Sequence, residues 1–183
     1  MPIGLNFPTV LDAARTGAEW AWTTLYRDLA PAVLGYLRMN GTPDAEDLTQ
    51  EVFVAVVRGL NEFEGNEDNF RSWVFVIAHR RMQDGRRHAV RHPVDSTPTQ
   101  RLERPGGNVE DEAIESLETK RVREMFARLA GDQREVLLLR IVAGLSVNET
   151  AEVLGKTPGA VKQLQRRGLL ALQRTSDKQA VTR

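Results

Sequence analysis

The sequence predicts an all-α protein made of two small helical domains joined by a flexible linker. Three observations carry that prediction. Apolar residues recur at helical spacing almost throughout, and no stretch alternates with the two-residue period of a half-buried strand. Residues 93–109, around PVDSTPTQRLERPGGN, break the pattern with prolines and glycines and offer almost nothing to bury. Residues 146–167, SVNETAEVLGKTPGAVKQLQRR, read as two helices joined by a tight turn. A chain of 183 residues suits one domain or two small ones, and 41% hydrophobic content is enough for packed cores.

In chain order, the first domain spans residues 1–92. A helix over residues 19–39 carries Trp22, Leu25, Tyr26, Leu29, Val33 and Leu37 on one stripe, with Pro31 a kink or a break within it. Thr42-Pro43 opens a second helix that runs to about Asn61. Residues 64–69 form a polar loop, and a third helix runs from Phe70 to about Arg87 with Phe70, Trp73, Val74 and Ile77 inward. The linker would span about 20–25 Å as a random coil. The second domain covers residues 110–175, with helices over 110–129 and 132–142 before the helix pair, and a short tail follows at 176–183.

The helix pair is the most specific local signal. Ser146 is a natural N-cap, and Glu149 stands where a capping-box acid belongs. Gly155 stops the first helix because glycine accepts the left-handed conformation just past a helix end. Thr157 caps the second helix and Pro158 takes its first position. Val161, Leu164, Gly168 and Leu172 mark one face, and Lys162, Gln163, Arg166 and Arg167 another. A short helix, a tight turn and a second helix presenting cations and an amide is the plan of a DNA-reading helix-turn-helix.

Composition removes other classes. No cysteine is present, which excludes disulfides and thiolate metal sites and fits a reducing cytoplasm. The first residues lack the basic and apolar segments of a secretory leader, and no apolar run approaches the roughly 20 residues that cross a bilayer. Net charge is +0, yet the charges are segregated. Residues 41–69 hold Asp44, Glu46, Asp47, Glu51, Glu62, Glu64, Glu67 and Asp68 against Arg58 alone. Residues 70–92 hold Arg71, Arg80, Arg81, Arg86, Arg87 and Arg91 against Asp84 alone, and residues 156–174 are purely cationic. Fields act within about a Debye length, roughly 8 Å at physiological salt, so this segregation outweighs the total. Two basic blocks suggest two nucleic-acid contacts, and the acidic block a different surface.

On a helical wheel, Ala45, Leu48, Val52, Phe53, Val56 and Leu60 share one side of the second helix. Glu46, Asp47, Gln50, Glu51 and Arg58 share the other, with Val54 at its centre. That is either a solvated face with one stray valine or a docking face with an apolar contact among steering charges. Downstream, a polar loop, aromatic residues and arginines follow one another, the combination that holds single-stranded nucleic acid, although Trp73 and Phe70 equally suit a helical core. His88 and His92 stand at metal-binding spacing, but no further ligand is evident, and a solvated basic face accounts for them better. No catalytic constellation and no cofactor or metal motif stands out.

These residues resemble the bacterial ECF sigma factors, the small two-domain sigma-70-class subunits of RNA polymerase. The likeness covers the whole chain. It rests on DAEDLTQEVF at 44–53, Phe63-Glu64-Gly65, FRSWVFVIA at 70–78 and DGRR at 84–87 in the first half. In the second half it rests on QREVLLLR at 133–140, GLS at 144–146, AEVLG at 151–155 and TPGAVKQLQRR at 157–167. The resemblance implies an alternative, non-enzymatic sigma factor that binds core polymerase and directs promoter-specific initiation. Asp44, Glu46, Asp47, Gln50, Glu51, Val54 and Arg58 would dock on the clamp helices of the largest subunit, and the flap region is the other polymerase element implied as a partner. Phe63, Glu64, Gly65, Asn66, Asn69, Arg71, Trp73, Arg80, Arg81, Arg86 and Arg87 would hold the separated minus-ten strand, with loop 63–69 capturing a flipped base. Lys156, Thr157, Pro158, Gly159, Ala160, Lys162, Gln163, Arg166 and Arg167 would read the minus-thirty-five duplex. Promoter DNA is then a partner, as an anti-sigma protein is for many members. The chain departs from the usual pattern at Arg80, where Asn is frequent, at His79, where Arg is common, and at Thr150, where an aliphatic is usual. Its capture loop is also unusually acidic. Two rival readings are an autonomous helix-turn-helix regulator, which would bind a palindrome as a dimer, and a nucleic-acid-processing enzyme.

Overall fold

The computed structural model describes residues 3–91 and 117–181. The predicted linker, His92 and the predicted helix start at residue 110 lie outside the described residues. Among the described residues every regular element is helical. A 3-10 turn, Gly4–Asn6, leads into α1 (Phe7–Arg15), α2 (Glu19–Met39), α3 (Ala45–Gly59) and α4 (Glu67–Arg91). The second half holds α5 (Leu117–Ala127), α6 (Gly131–Ile141), α7 (Val147–Leu154) and α8 (Pro158–Val181).

Helix α1 was not foreseen. It buries Phe7, Val10, Leu11 and Ala14, an i, i+3, i+4, i+7 stripe, against α2. Leu25, Leu29, Val33 and Leu37 of α2 are buried as their spacing predicts, while Tyr26 is partly exposed and rests on Phe53, ring centres 4.7 Å apart. Pro31 neither breaks nor ends α2, which is continuous through it. Helix α3 turns Ala45, Val52, Phe53 and Val56 inward, as the wheel requires.

Helix α4 begins earlier and ends later than predicted, and it is buried over a wider arc. Phe70, Ser72, Val74, Phe75, Ala78 and Met82 are all inaccessible. The cause is tertiary: α4 packs against α2 and α3 in its own half and against α7 in the other. One continuous core therefore runs through both halves, joining Val33, Tyr36, Phe75 and Met82 to Leu137, Leu139, Leu145 and Val153. A smaller core of Val136, Ala151 and Val161, flanked by Val147, Leu154 and Leu164, holds the helix pair together.

The helix pair is built as its residues dictate. The Glu149 amide donates to Ser146 Oγ at 3.2 Å, and Glu149 Oε2 accepts from the Ser146 amide at 2.5 Å. Gly155 is left-handed, φ +61°. The Ala160 amide donates to Thr157 Oγ1 at 3.2 Å. Gly168 lets α8 approach α6 closely, since a Cβ there would lie 2.8 Å from Leu137 Cδ1. Helix α8 continues to Val181, through most of the segment predicted as a tail.

Candidate nucleic-acid interface

Three surfaces carry the predicted functional side chains. The first is the outer face of α3. Asp44, Glu46, Asp47, Gln50, Glu51, Val54 and Arg58 are all exposed, and Val54 and Val57 are half uncovered at 48% and 51%. Helix periodicity makes this inevitable once the opposite face is committed to the core. Glu46 is tied to Arg38 of α2, whose Nε donates to Oε1 at 2.9 Å. The remainder is an acidic, valine-centred strip.

The second surface is the loop between α3 and α4 with the arginines that follow. Gly65 has φ +146°, and a Cβ there would lie 2.7 Å from Asn69 Cβ, so only glycine fits this turn. Asn66 and Asn69 cap α4 reciprocally: the Asn69 amide donates to Asn66 Oδ1 at 2.9 Å, and the Asn66 amide to Asn69 Oδ1 at 3.1 Å. Each carbonyl oxygen is thus spent on the backbone, which bears on the strand-holding role expected of both residues. Glu64, Gly65, Asn66 and Asn69 are all exposed.

Beneath the loop lies an aromatic floor. The Phe63 ring is 5.2 Å from Phe70 and 5.1 Å from Trp73. Phe63 is only 8% exposed, so it supports the loop from below. Trp73 is half-buried over α3, where a Cβ on Gly59 would meet its ring at 2.8 Å. That is the core alternative its spacing left open.

The arginines divide. Arg80 and Arg81 are exposed on α4. Arg71 donates to Asp28 Oδ2 at 2.9 Å in a largely buried pair, with side chains 19% and 8% exposed, so its guanidinium braces α4 on α2. Arg86 reaches the second half, donating to Glu135 Oε1 at 2.8 Å and to the Asn40 carbonyl at 3.0 Å. Arg87 pairs loosely with Asp84 at 3.4 Å.

The third surface is the outer face of α8. Lys162, Gln163, Arg166 and Arg167 are exposed together with Thr157, Pro158 and Gly159. Val161 is buried on the opposite side, and Ala160 and Leu164 are half-buried. Lys156 bonds Asp132 at 3.1 Å, which draws it toward the start of α6. Four adjacent side chains capable of donating to phosphates or base edges therefore stand on one face of a helix fixed by its own small core.

Several structurally important residues were not legible. Glu135 is a buried carboxylate on α6, met by Arg86 and by Gln83 at 3.3 Å. The Tyr36 hydroxyl bonds His79 Nδ1 at 2.9 Å. Burial lowers the His79 pKa, and burial with the Glu135 charge raises that of Tyr36, so the hydroxyl donates and the neutral imidazole accepts. Thr150, at the departure from an aliphatic, is fully buried and its hydroxyl finds no partner among the described residues. Among the described residues no helix is long and apolar enough to cross a membrane.

Comparison with known proteins matches this layout. Residues 25–92 match sigma-70 region 2, and residues 119–172 match sigma-70 region 4. The chain is 36% identical over 167 residues to the ECF RNA polymerase sigma factor ShbA of Streptomyces griseus, covering 85% of this chain and 87% of that protein. It is 33% identical over 183 residues to SigD of Mycobacterium tuberculosis, covering 95% and 84%. Among solved structures, CnrH in complex with the cytosolic domain of CnrY superimposes with a TM-score of 0.67 and 26% identity over 94% of this chain and 97% of that one. RpoE of Bartonella quintana, bound to the anti-sigma factor NepR, shares the fold with a TM-score of 0.65 and 22% identity over 83% and 94%. The two matches, region 2 before region 4 in one helical chain, place the protein in the sigma-70 class. Within that class, the protein belongs to the ECF RNA polymerase sigma factors.

Proposed function

We propose that this ECF sigma factor binds core RNA polymerase through the acidic, valine-centred face of α3 and brings two DNA-binding surfaces to one promoter. The observation that carries this reading is the simultaneous exposure of the three surfaces in one chain. A fold that spends its apolar faces on a shared core leaves a docking strip, a loop with arginines, and a cationic reader helix facing solvent. The α8 face reads the minus-thirty-five duplex in the major groove, with Gln163 suited to a base edge and Lys162, Arg166 and Arg167 to phosphates or guanine. The loop at 63–69 receives an unstacked base of the minus-ten strand, and Arg80 and Arg81 follow its backbone. Capturing a base offsets the few kcal/mol of unstacking, and tethering on polymerase raises the effective concentration of each contact. The protein acts this way without catalytic chemistry of its own and works where polymerase is, in the cytoplasm. The neighbour CnrH, solved in complex with the cytosolic domain of CnrY, supports a protein partner for this chain too, of the anti-sigma kind.

The direct test mixes the purified chain with bacterial core polymerase, follows co-elution, and sequences transcripts started on genomic DNA. Co-elution with new, discrete start sites is the expected result and supplies the promoter motif. Tight dimeric binding to DNA alone, without polymerase binding, would overturn the assignment in favour of an autonomous regulator.

A further inference from the structure

The acidity of the capture loop runs against a DNA-facing role, and the structure shows where one of its charges goes. Glu67 turns away from the exposed side of the loop. Its Oε1 accepts from the Ile3 amide at 2.6 Å and its Oε2 from the Gly4 amide at 2.8 Å. Both carboxylate oxygens are thus engaged by the backbone that precedes α1, charge-assisted bonds of the stronger kind. From the other end of α1, Arg15 donates to the Phe63 carbonyl, and its Nε lies 3.5 Å from the Leu60 carbonyl. Between these two grips Phe7 packs on Phe70, ring centres 5.6 Å apart. The loop is therefore held at both ends by one short segment that the helical pattern had not singled out. Segment and loop enclose a surface groove of about 760 Å³, with Leu5, Pro8 and Leu11 on one wall and Gly65, Asn66 and Asp68 on the other.

We propose that residues 3–15 are the positioning element of the base-capture loop, and that Glu67 and Arg15 are positioning residues for recognition of the separated strand. The proposal rests on reading loop 63–69 as the capture element. Preorganisation is the physical reason. A loop that must bind one unstacked base loses affinity and selectivity if it has to be ordered at the moment of binding. Its own side-chain bonds, the Asn66–Asn69 cap, lie on the side that joins α4, and on the other side it has only main-chain turn bonds, among them the Phe63 amide on the Leu60 carbonyl at 3.3 Å. There Arg15 ties the Leu60 and Phe63 carbonyls to α1, and the first turn of α4 is anchored from outside by the Ile3 and Gly4 amides on Glu67.

The test uses holoenzyme assembled from this chain and core polymerase, with a fluorescent fork-junction oligonucleotide carrying the promoter found by transcript mapping. Each minus-ten nucleotide is replaced in turn by an abasic one. In the parent protein one position should show a penalty of about tenfold or more, the size expected for a lost base contact. Glu67→Gln and Arg15→Ala should weaken fork binding about tenfold and shrink the abasic penalty at that position toward unity. Affinity for the minus-thirty-five duplex and for core polymerase should stay unchanged, and Arg15→Lys should recover part of the loss. Gly4→Ala provides a second route. Gly4 has φ +66° with open space around it, so alanine strains the turn that presents the amides without a clash and without removing any loop side chain. It should move the same penalty in the same direction. Variants that stay folded and keep the full abasic penalty overturn the proposal. If the parent shows no abasic penalty anywhere, the capture-loop reading itself fails and the positioning role falls with it.

Discussion

At the scale of single residues, the structure changes what several polar groups are for. In sequence every arginine of α4 suits a DNA phosphate; in the fold Arg71 also braces Asp28 and Arg86 bridges to Glu135. Glu67 was part of an unexplained acidic loop and is an anchor instead. Composition could not distinguish these roles, because they depend on partners 43 to 64 positions away in sequence. His79 is the clearest titrating group. Its folded pKa lies below the ordinary 6.5, principally from burial, against the opposing pull of Glu135 and with Arg86 and Lys156 adding to the depression. The unfolded chain therefore binds the extra proton first. Stability contributed by neutral His79 is complete above pH about 6.5 and falls as pH drops from there toward the lower folded pKa. Thermal melts across that window should show the loss in the parent protein and a flatter profile in His79→Gln; equal profiles would remove His79 as the cause.

At the scale of elements, periodicity proved a good guide wherever one face of a helix meets one neighbour. Helices α3 and α7 follow the pattern closely, and α7 carries both its predicted caps. Helix α4 did not reduce to one stripe because three helices pack on it. The same logic ranks the two surfaces that mutation can reach most cleanly. Asp47 and Glu51 are exposed on α3, so changing both to lysine should abolish co-elution with core polymerase while leaving helical content intact. Retained binding would place docking elsewhere. Arg167 on α8 is exposed and remote from the core. If it meets a phosphate, Arg167→Ala should weaken promoter binding across sequences and reduce the salt slope by about one unit, and an unchanged slope would exclude that contact.

At the scale of the whole molecule, the two halves share one core and one buried carboxylate. Arg86 is therefore engaged by Glu135 when the halves are packed. Reversing one charge should disturb this junction. Arg86→Glu places two carboxylates together at a partly exposed site, 42% open on the arginine side. Small-angle scattering should then show a radius of gyration above the roughly 16 Å expected of a compact chain of this length. The charge-exchanged pair Arg86→Glu with Glu135→Arg should restore compactness. Unchanged scattering in the single variant would show that apolar packing alone holds the halves together.

The sequence by itself determined the helical class, the two-part organisation, the helix pair with its caps, and the outward faces of α3 and α8. Each of these follows from local rules: caps act within one turn, and an amphipathic face is set by a period of 3.6 residues. Tertiary structure alone decided that residues 3–15 grip the loop between α3 and α4, that Pro31 sits inside an unbroken helix, and that Arg71, Arg86, Glu67 and Glu135 hold elements together. Those outcomes depend on which distant groups meet after packing, and a charged side chain reads identically in sequence whether its partner is water, phosphate or a buried carboxylate.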